Sequence, residues 1–217
     1  MIARFDRVWS ISEEEAVRLR KVFGLNNVLF QPLVYPVKRV KRALSKPVKL
    51  LFVGNLSWPP NEDAVEWFLN EMWGLIRREL PEIELYIVGK RSRRLDGLYM
   101  EAEGVRFYGY CESIKEFLVM ADVFIMPFRM GGGVRIKALT AMAAGVPIVS
   151  TSLGLEGLGV VDGKECLIAD DPEGFVANVV ALVRSRSMQI KLSDKAVFYM
   201  KKCHTQDRNR DYLRKYM

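Results

Sequence analysis

Six short apolar runs, most of them separated by segments of helical periodicity, leave few folds open to this chain. The runs fall at residues 48–53, 83–88, 105–108, 123–126, 148–151 and 166–168. Helical patterns lie between or after them at 61–80, 113–120, 134–144 and 172–184. In the first of these, Ala64, Val65, Phe68, Leu69, Met72 and Ile76 share one face, with Asn61 read as the cap and Glu62 and Asp63 in the first turn. Several of the strand-like runs are apolar throughout rather than alternating, the pattern of strands covered on both faces. Strands alternating with helices predict an α/β fold with a doubly wound parallel sheet, Rossmann-like in type.

The flanks read differently. Residues 7–11 alternate polar and apolar, Ser12-Glu13-Glu14-Glu15 has the form of a capping box, and a helix is expected to run to about Phe23. Gly24 ends it, and 28–30 is a short strand. Lys38, Arg39, Lys41, Arg42 and Lys46 then form an acid-free basic linker closed by Pro47. Two or three C-terminal helices are predicted, near 188–203 and 206–216. The expected organisation is a lead-in and linker over 1–46, a ligand-binding domain over 47–186, and C-terminal helices over 187–217.

Composition narrows the class. Hydrophobic residues make up 50% and charged residues 27% of 217, as in an ordered globular chain. No apolar run approaches the ~20 residues of a membrane span. The first residues carry no secretory pattern, and three scattered cysteines (Cys111, Cys166, Cys203) suit a reducing, cytoplasmic setting. Cys111 and Cys166 are read as buried small hydrophobes. The formal net charge is +7, with a second basic cluster at Lys90, Arg91, Arg93 and Arg94 and a basic tail after Arg184. Such charge suits a solvated face, a phosphate-bearing ligand or peripheral contact with an anionic membrane surface. No nucleic-acid-binding motif accompanies it, so no nucleic-acid partner is expected.

In doubly wound folds ligands lie beyond the carboxyl ends of the strands. The turns there include Gly54-Asn55, Gly89-Lys90, Gly109-Tyr110, 127–133 and 151–157. One of them runs from glycines into a helix: Gly131-Gly132-Gly133-Val134-Arg135-Ile136-Lys137. Amides at a helix start, with no side chains in the way, form an anion site. Arg135 and Lys137 sit at the helix end that disfavours cations. Either they point into solvent or an anion such as a diphosphate binds between them. Other chemistries lack their residues. The first turn is not G-x-G-x-x-G, there is no P-loop, and the sole histidine, His204, leaves no histidine dyad, zinc site or Ser-His-Asp triad. His204 reads as an ordinary surface or packing residue.

The stretch from Gly133 through Ala138-Leu139-Thr140-Ala141-Met142-Ala143-Ala144-Gly145-Val146-Pro147 to Thr151, continued by Gly154-Leu155-Glu156-Gly157-Leu158, resembles the signature of the group 1, GT4-type retaining glycosyltransferases. Val53-Gly54 with Trp58, Asn61 and Ala64, then Ile87-Val88-Gly89, Phe107-Tyr108-Gly109, and Ala121-Asp122-Val123 with Pro127 fall in that family's order. The resemblance extends to Phe5–Ser12 and implies the C-terminal, donor-binding domain of the two-domain GT-B fold. It implies sugar transfer with retention from a nucleotide-diphosphate sugar to an acceptor, with no further cofactor and no metal. The acceptor-binding domain is then expected outside this sequence, as a separate domain or chain, and with it the catalytic base.

By the same resemblance Gly54, Asn55 and the Gly131–Gly133 amides would approach the diphosphate, with Lys90, Arg135 and Lys137 supplying positive charge. Tyr110 and its neighbours would contact the base, largely through backbone. Thr140 would face the ribose, and Glu156 would lie near the cleft floor. The family's paired glutamates fall at Gly132 and Thr140, so both carboxylates are absent. Thr140 either keeps one ribose contact or bonds the Ile136 carbonyl within its helix. A non-catalytic nucleotide-sugar-binding module is therefore the rival reading. A nucleotide-sugar epimerase would need carboxylates and a histidine that the cleft lacks.

Overall fold

The computed structural model describes residues 5–42, 46–92, 94–95 and 102–214. Arg93, part of the basic linker and the predicted end of the last helix lie outside the described residues.

Six parallel strands form the main sheet in the order β5-β4-β3-β6-β7-β8. They are β3 (Lys49–Val53), β4 (Glu84–Val88), β5 (Val105–Tyr108), β6 (Val123–Met126), β7 (Ile148–Ser150) and β8 (Leu167–Ile168). All six match the apolar runs to within a residue at either end. β6 and β7 are buried along their whole length, which explains why their sequences do not alternate. Phe52, Phe68, Phe124, Phe128 and Phe175 are the largest fully buried side chains. The helical segment Phe68–Glu79 packs against helix Pro172–Arg184, and helix Ile136–Ala144 packs against helix Arg186–Cys203.

The strand order locates the site. From β3 the chain moves outward to β4 and β5, then returns to β6 on the other side of β3 before continuing to β7 and β8. β3 and β6 pair directly, with Leu50 opposite Val123 and Leu51 opposite Phe124. The direction of winding reverses between them, so their following loops part and leave a crevice. Residues 54–61 follow β3 and residues 127–137 follow β6.

The first long helix differs from the sequence expectation in two ways. The helix expected from Asn61 begins at Pro59, with Trp58 at the N-cap and two prolines in its first turn. Proline suits that turn because its missing N–H has no helical partner there. Asn61 is therefore not a cap, and its side chain is released for other contacts. The same helix widens into a π-helical stretch at Phe68–Trp73, where Phe68 and Trp73 are both buried, before resuming at Gly74.

The lead-in is a small parallel unit, β1 (Val8–Ser10), helix Glu13–Phe23 and β2 (Val28–Phe30), with its own core of Ala16, Leu25 and Val28. Only half of the expected capping box forms. Ser12 Oγ accepts from the Glu15 amide at 3.2 Å, but the Glu15 carboxylate takes the Ser10 hydroxyl instead of the Ser12 amide. The linker is pinned along the main domain: the Val40 amide donates to the Ala144 carbonyl, and Arg39 pairs with Asp194 at 2.7 Å. His204 is buried, with its Nδ1 2.8 Å from the Leu33 carbonyl, and serves to pack the linker. Cys166 is fully buried, and burial pushes its thiol up to about 12. Cys111 is only half-buried.

Candidate functional site

At the crevice the β3 loop is shaped by contact with the β4 loop. Gly54 donates to the Val88 carbonyl at 2.9 Å, and Leu56 donates to the Lys90 carbonyl at 2.8 Å. Gly89 has φ +144, and a side chain there would run into the Gly54 carbonyl. Asn55 turns the chain by accepting the Ser57 amide on its own side chain. Lys90 thus reaches the crevice with its backbone, while its side chain is exposed.

Lys137 holds the centre. Its Nζ donates to Asn61 Oδ1 at 2.7 Å, and Asn61 Nδ2 donates in turn to the Asn55 carbonyl at 2.8 Å. The ammonium lies 4.9 Å from the centroid of Phe128 and 5.4 Å from that of Phe52. Among the described residues no carboxylate pairs with it. Burial, reinforced by the nearby Arg135 charge, lowers its pKa to about 7. Arg135 is the N-cap of helix Ile136–Ala144 and is 5% exposed. Its guanidinium sits 4.5 Å from the Phe128 centroid and 5.5 Å from that of Trp58, and Nη2 donates to the Met130 carbonyl at 3.2 Å. Its Nε has no hydrogen-bond partner among the described residues. Neither side chain points freely into solvent, so that alternative is removed.

Gly131, Gly132 and Gly133 form an exposed loop beside Arg135, with Gly131 and Gly133 at positive φ. An ideal Cβ at Gly131 would lie 3.0 Å from Arg135 Nη2 and 3.2 Å from Pro60. The loop amides are not all free: Gly133 N–H donates to Glu156 Oε2 at 3.2 Å. A cavity of about 590 Å³ opens beside this point, lined by Gly132, Gly133, Glu156 and Gly157 on one wall and Glu14 and Arg18 on the other.

Two predicted site residues stand apart from this cluster. Tyr110 follows the edge strand β5, three places from β6, and is 80% exposed. The Thr140 hydroxyl donates to the Ile136 carbonyl at 2.9 Å and lies 2.6 Å from the Tyr35 hydroxyl of the linker. The sequence reading missed Asn61 as a contact residue, and missed Phe52 and Phe128 as the aromatic bed beneath the cations. The Pro59-Pro60 pair was the available signal for Asn61, since two prolines in the first turn move the helix start ahead of it.

A half-buried ammonium with no described acid paired to it has a direct consequence for stability. Lys137 is easier to protonate in the unfolded chain than in the folded one, so between about pH 7 and the ordinary lysine range the unfolded state binds more protons. This group's contribution therefore favours folding increasingly as pH rises through that window. Lys137→Met, which keeps the volume and removes the charge, is expected to raise the thermal midpoint. The gain should be larger at pH 7 than at pH 9, as read by calorimetry. An equal gain at both pH values would show that the ammonium is not desolvated.

A family model for glycosyl transferases group 1 matches residues 47–185, more than half of the chain. The chain belongs to this family. A protein of the cps region of Klebsiella pneumoniae, described as uncharacterized, is 30% identical over 184 residues, covering 81% of this chain and 47% of that protein. The lipopolysaccharide core biosynthesis mannosyltransferase LpsB of Rhizobium meliloti is 27% identical over 207 residues, 86% of this chain and 58% of its own length. The chain thus spans about half the length of these curated relatives. Among solved structures, TarM superposes with a TM-score of 0.82 at 13% identity, over 98% of this chain and 43% of that one. Sucrose-phosphate synthase from Thermosynechococcus elongatus gives 0.79 at 18% identity, over 99% of this chain and 58% of that one. At such identities the likeness shows the fold alone, a Rossmann-like domain of the GT-B type. No described helix is long and apolar enough to cross a membrane, and no described cluster of His, Cys, Asp and Glu is arranged to hold a metal.

Proposed function

We propose that this chain is the nucleotide-sugar-binding half of a retaining glycosyltransferase and binds the donor diphosphate over Lys137. The observation that carries the reading is the Lys137 ammonium, held at the switch point by a neutral asparagine and two aromatic rings, with no described carboxylate to neutralise it. A buried cation kept without a counter-charge is costly unless an anionic ligand completes it. Arg135 and the Gly131–Gly133 loop adjoin it, and Gly54 and Asn55 bring backbone close. During transfer the bond from the anomeric carbon to the phosphate oxygen breaks, and the acceptor oxygen bonds that carbon. Negative charge then builds on the departing diphosphate, where a fixed ammonium and guanidinium stabilise it more than in the ground state. The acceptor's proton passes to the leaving phosphate or to a base, which this reading assigns to a separate acceptor-binding domain or chain. The lipopolysaccharide core biosynthesis relative LpsB and a structure of an S. aureus TarM mutant in complex with UDP are consistent with a nucleoside diphosphate sugar as donor.

One observation favours a second reading, a nucleotide-sugar-binding module without its own turnover. Gly132 and Thr140 carry no carboxylate, and the Thr140 hydroxyl is already bonded on both sides. In either case the exposed residues of helix Arg186–Cys203, Ile190 and Phe198 beside Lys191, Lys195, Lys201 and Lys202 and with Asp194 paired to Arg39, fit peripheral contact with an anionic bilayer at the cytoplasmic face.

Calorimetric titration with UDP, GDP and ADP tests the core of the proposal. One of the three is expected to bind, and to bind much more tightly than its nucleoside. Failure of all three to bind would sink the diphosphate site. Donor hydrolysis or transfer with a supplied acceptor domain then separates enzyme from module.

A further inference from the structure

Glu156 is the one carboxylate bonded to the glycine loop among the described residues. It follows the 3-10 turn Leu153–Leu155 beyond β7, and the chain turns sharply after it at Gly157, φ +75. Its Oε2 accepts the Gly133 amide, and an ideal Cβ placed at Gly132 would lie 3.5 Å from the same oxygen. A carboxylate therefore occupies the space a side chain at position 132 would enter, but it arrives from across the crevice. A carboxylate has about four acceptor directions, and one amide uses one of them. No described lysine or arginine pairs with this group. Glu156 lines the cavity of about 590 Å³ beside the loop and a second, of about 390 Å³, on the side of Ser152 and Val160.

The loop is electrically polar along its length. The Arg135 guanidinium underlies Gly131, whereas the Glu156 carboxylate abuts Gly132 and Gly133. The two do not form an ion pair, although the Glu156 charge lies near enough to favour the charged form of Arg135, so the loop presents opposite charges toward its two ends. An elongated ligand that is anionic at one end and a neutral polyol at the other matches this surface in one orientation only. Its anionic part lies over the cations. Its hydroxyls then donate to Glu156, while a second negative charge at that end would face a carboxylate at short range.

We infer that Glu156 is the specificity residue for the transferred sugar, accepting hydroxyls of a neutral hexose and rejecting sugars that carry a carboxylate. The inference rests on the diphosphate reading above, because that reading sets the ligand's direction along the loop. The alternative role is purely structural, with Glu156 capping the Gly133 amide.

The test compares three ligands sharing whichever base binds: the nucleoside diphosphate, its neutral hexose conjugate and its hexuronic acid conjugate. Dissociation constants are measured for wild type, Glu156→Gln and Glu156→Ala. Wild type is expected to favour the hexose over the hexuronate by about tenfold or more, since like charges at close range discriminate strongly. Glu156→Gln keeps an acceptor for the Gly133 amide but loses the charge, and should bring the two conjugates to within about threefold. Glu156→Ala should lose the discrimination as well, with weaker hexose binding, while the bare diphosphate binds the same or more tightly. Diphosphate binding with no wild-type preference between the conjugates, or a preference unchanged in Glu156→Gln, overturns the assignment and leaves the diphosphate site standing. Absence of any diphosphate binding in wild type overturns both.

Discussion

Lys137→Ala should weaken nucleoside diphosphate binding by about ten- to a hundredfold, the value of a lost hydrogen bond to a charged group at about 1.5–3 kcal/mol. The parent nucleoside should change by no more than about twofold, because it presents nothing to the ammonium. Alanine also opens space between Phe52 and Phe128, so Lys137→Met is the companion that preserves packing while removing charge. The two variants should agree on binding and differ on stability, with methionine the more stable. Equal losses for nucleoside and diphosphate in both variants would place Lys137 outside the phosphate contact. Asn61 is expected to matter through Lys137, since its side-chain amide accepts the ammonium's hydrogen bond and ties it to the Asn55 carbonyl.

Gly89→Ala is expected to cost about 3 kcal/mol or more of folding stability, read as a lowered denaturant midpoint. Two independent effects combine at that residue. Its φ of +144 is a region that side-chain-bearing residues seldom adopt, and a Cβ there would sit 2.6 Å from the Gly54 carbonyl carbon. Relief requires moving the β3 loop, which carries Gly54, Asn55 and the acceptor for Asn61. Loss of diphosphate affinity should therefore accompany the loss of stability. Gly74, with open space around it and a helical backbone, is the control: Gly74→Ala should be neutral or stabilising. A Gly89→Ala protein as stable as wild type would show that the loop yields easily.

Much of the fold was legible because burial on both faces leaves a signature in composition. β6, Val123-Phe124-Ile125-Met126, has no polar residue to place in solvent, and it lies inside the sheet. Helix starts were less legible. A helix N-terminus is a competition between capping side chains and the residues before them. At Trp58-Pro59-Pro60-Asn61 the prolines won, turning a supposed cap into the partner of Lys137. At Ser12 the cap formed, but Ser10 drew the Glu15 carboxylate away from the box.

By itself the sequence determined the alternation of strands and helices, the glycine loop leading into a helix, and the family signature around it. These are local properties, set by side-chain size, backbone freedom and the order of residues along the chain. Only the tertiary structure decided the charge of the site. Lys137 and Arg135 looked misplaced at a helix start, and folding the β3 and β6 loops together put them over aromatic rings, with no described carboxylate in ion-pair contact with either. Glu156 lies far along the chain from Gly133, yet it brings a carboxylate to the glycine loop where position 132 has none. The strength of a charge depends on what surrounds it in space, and that is settled only when distant segments pack.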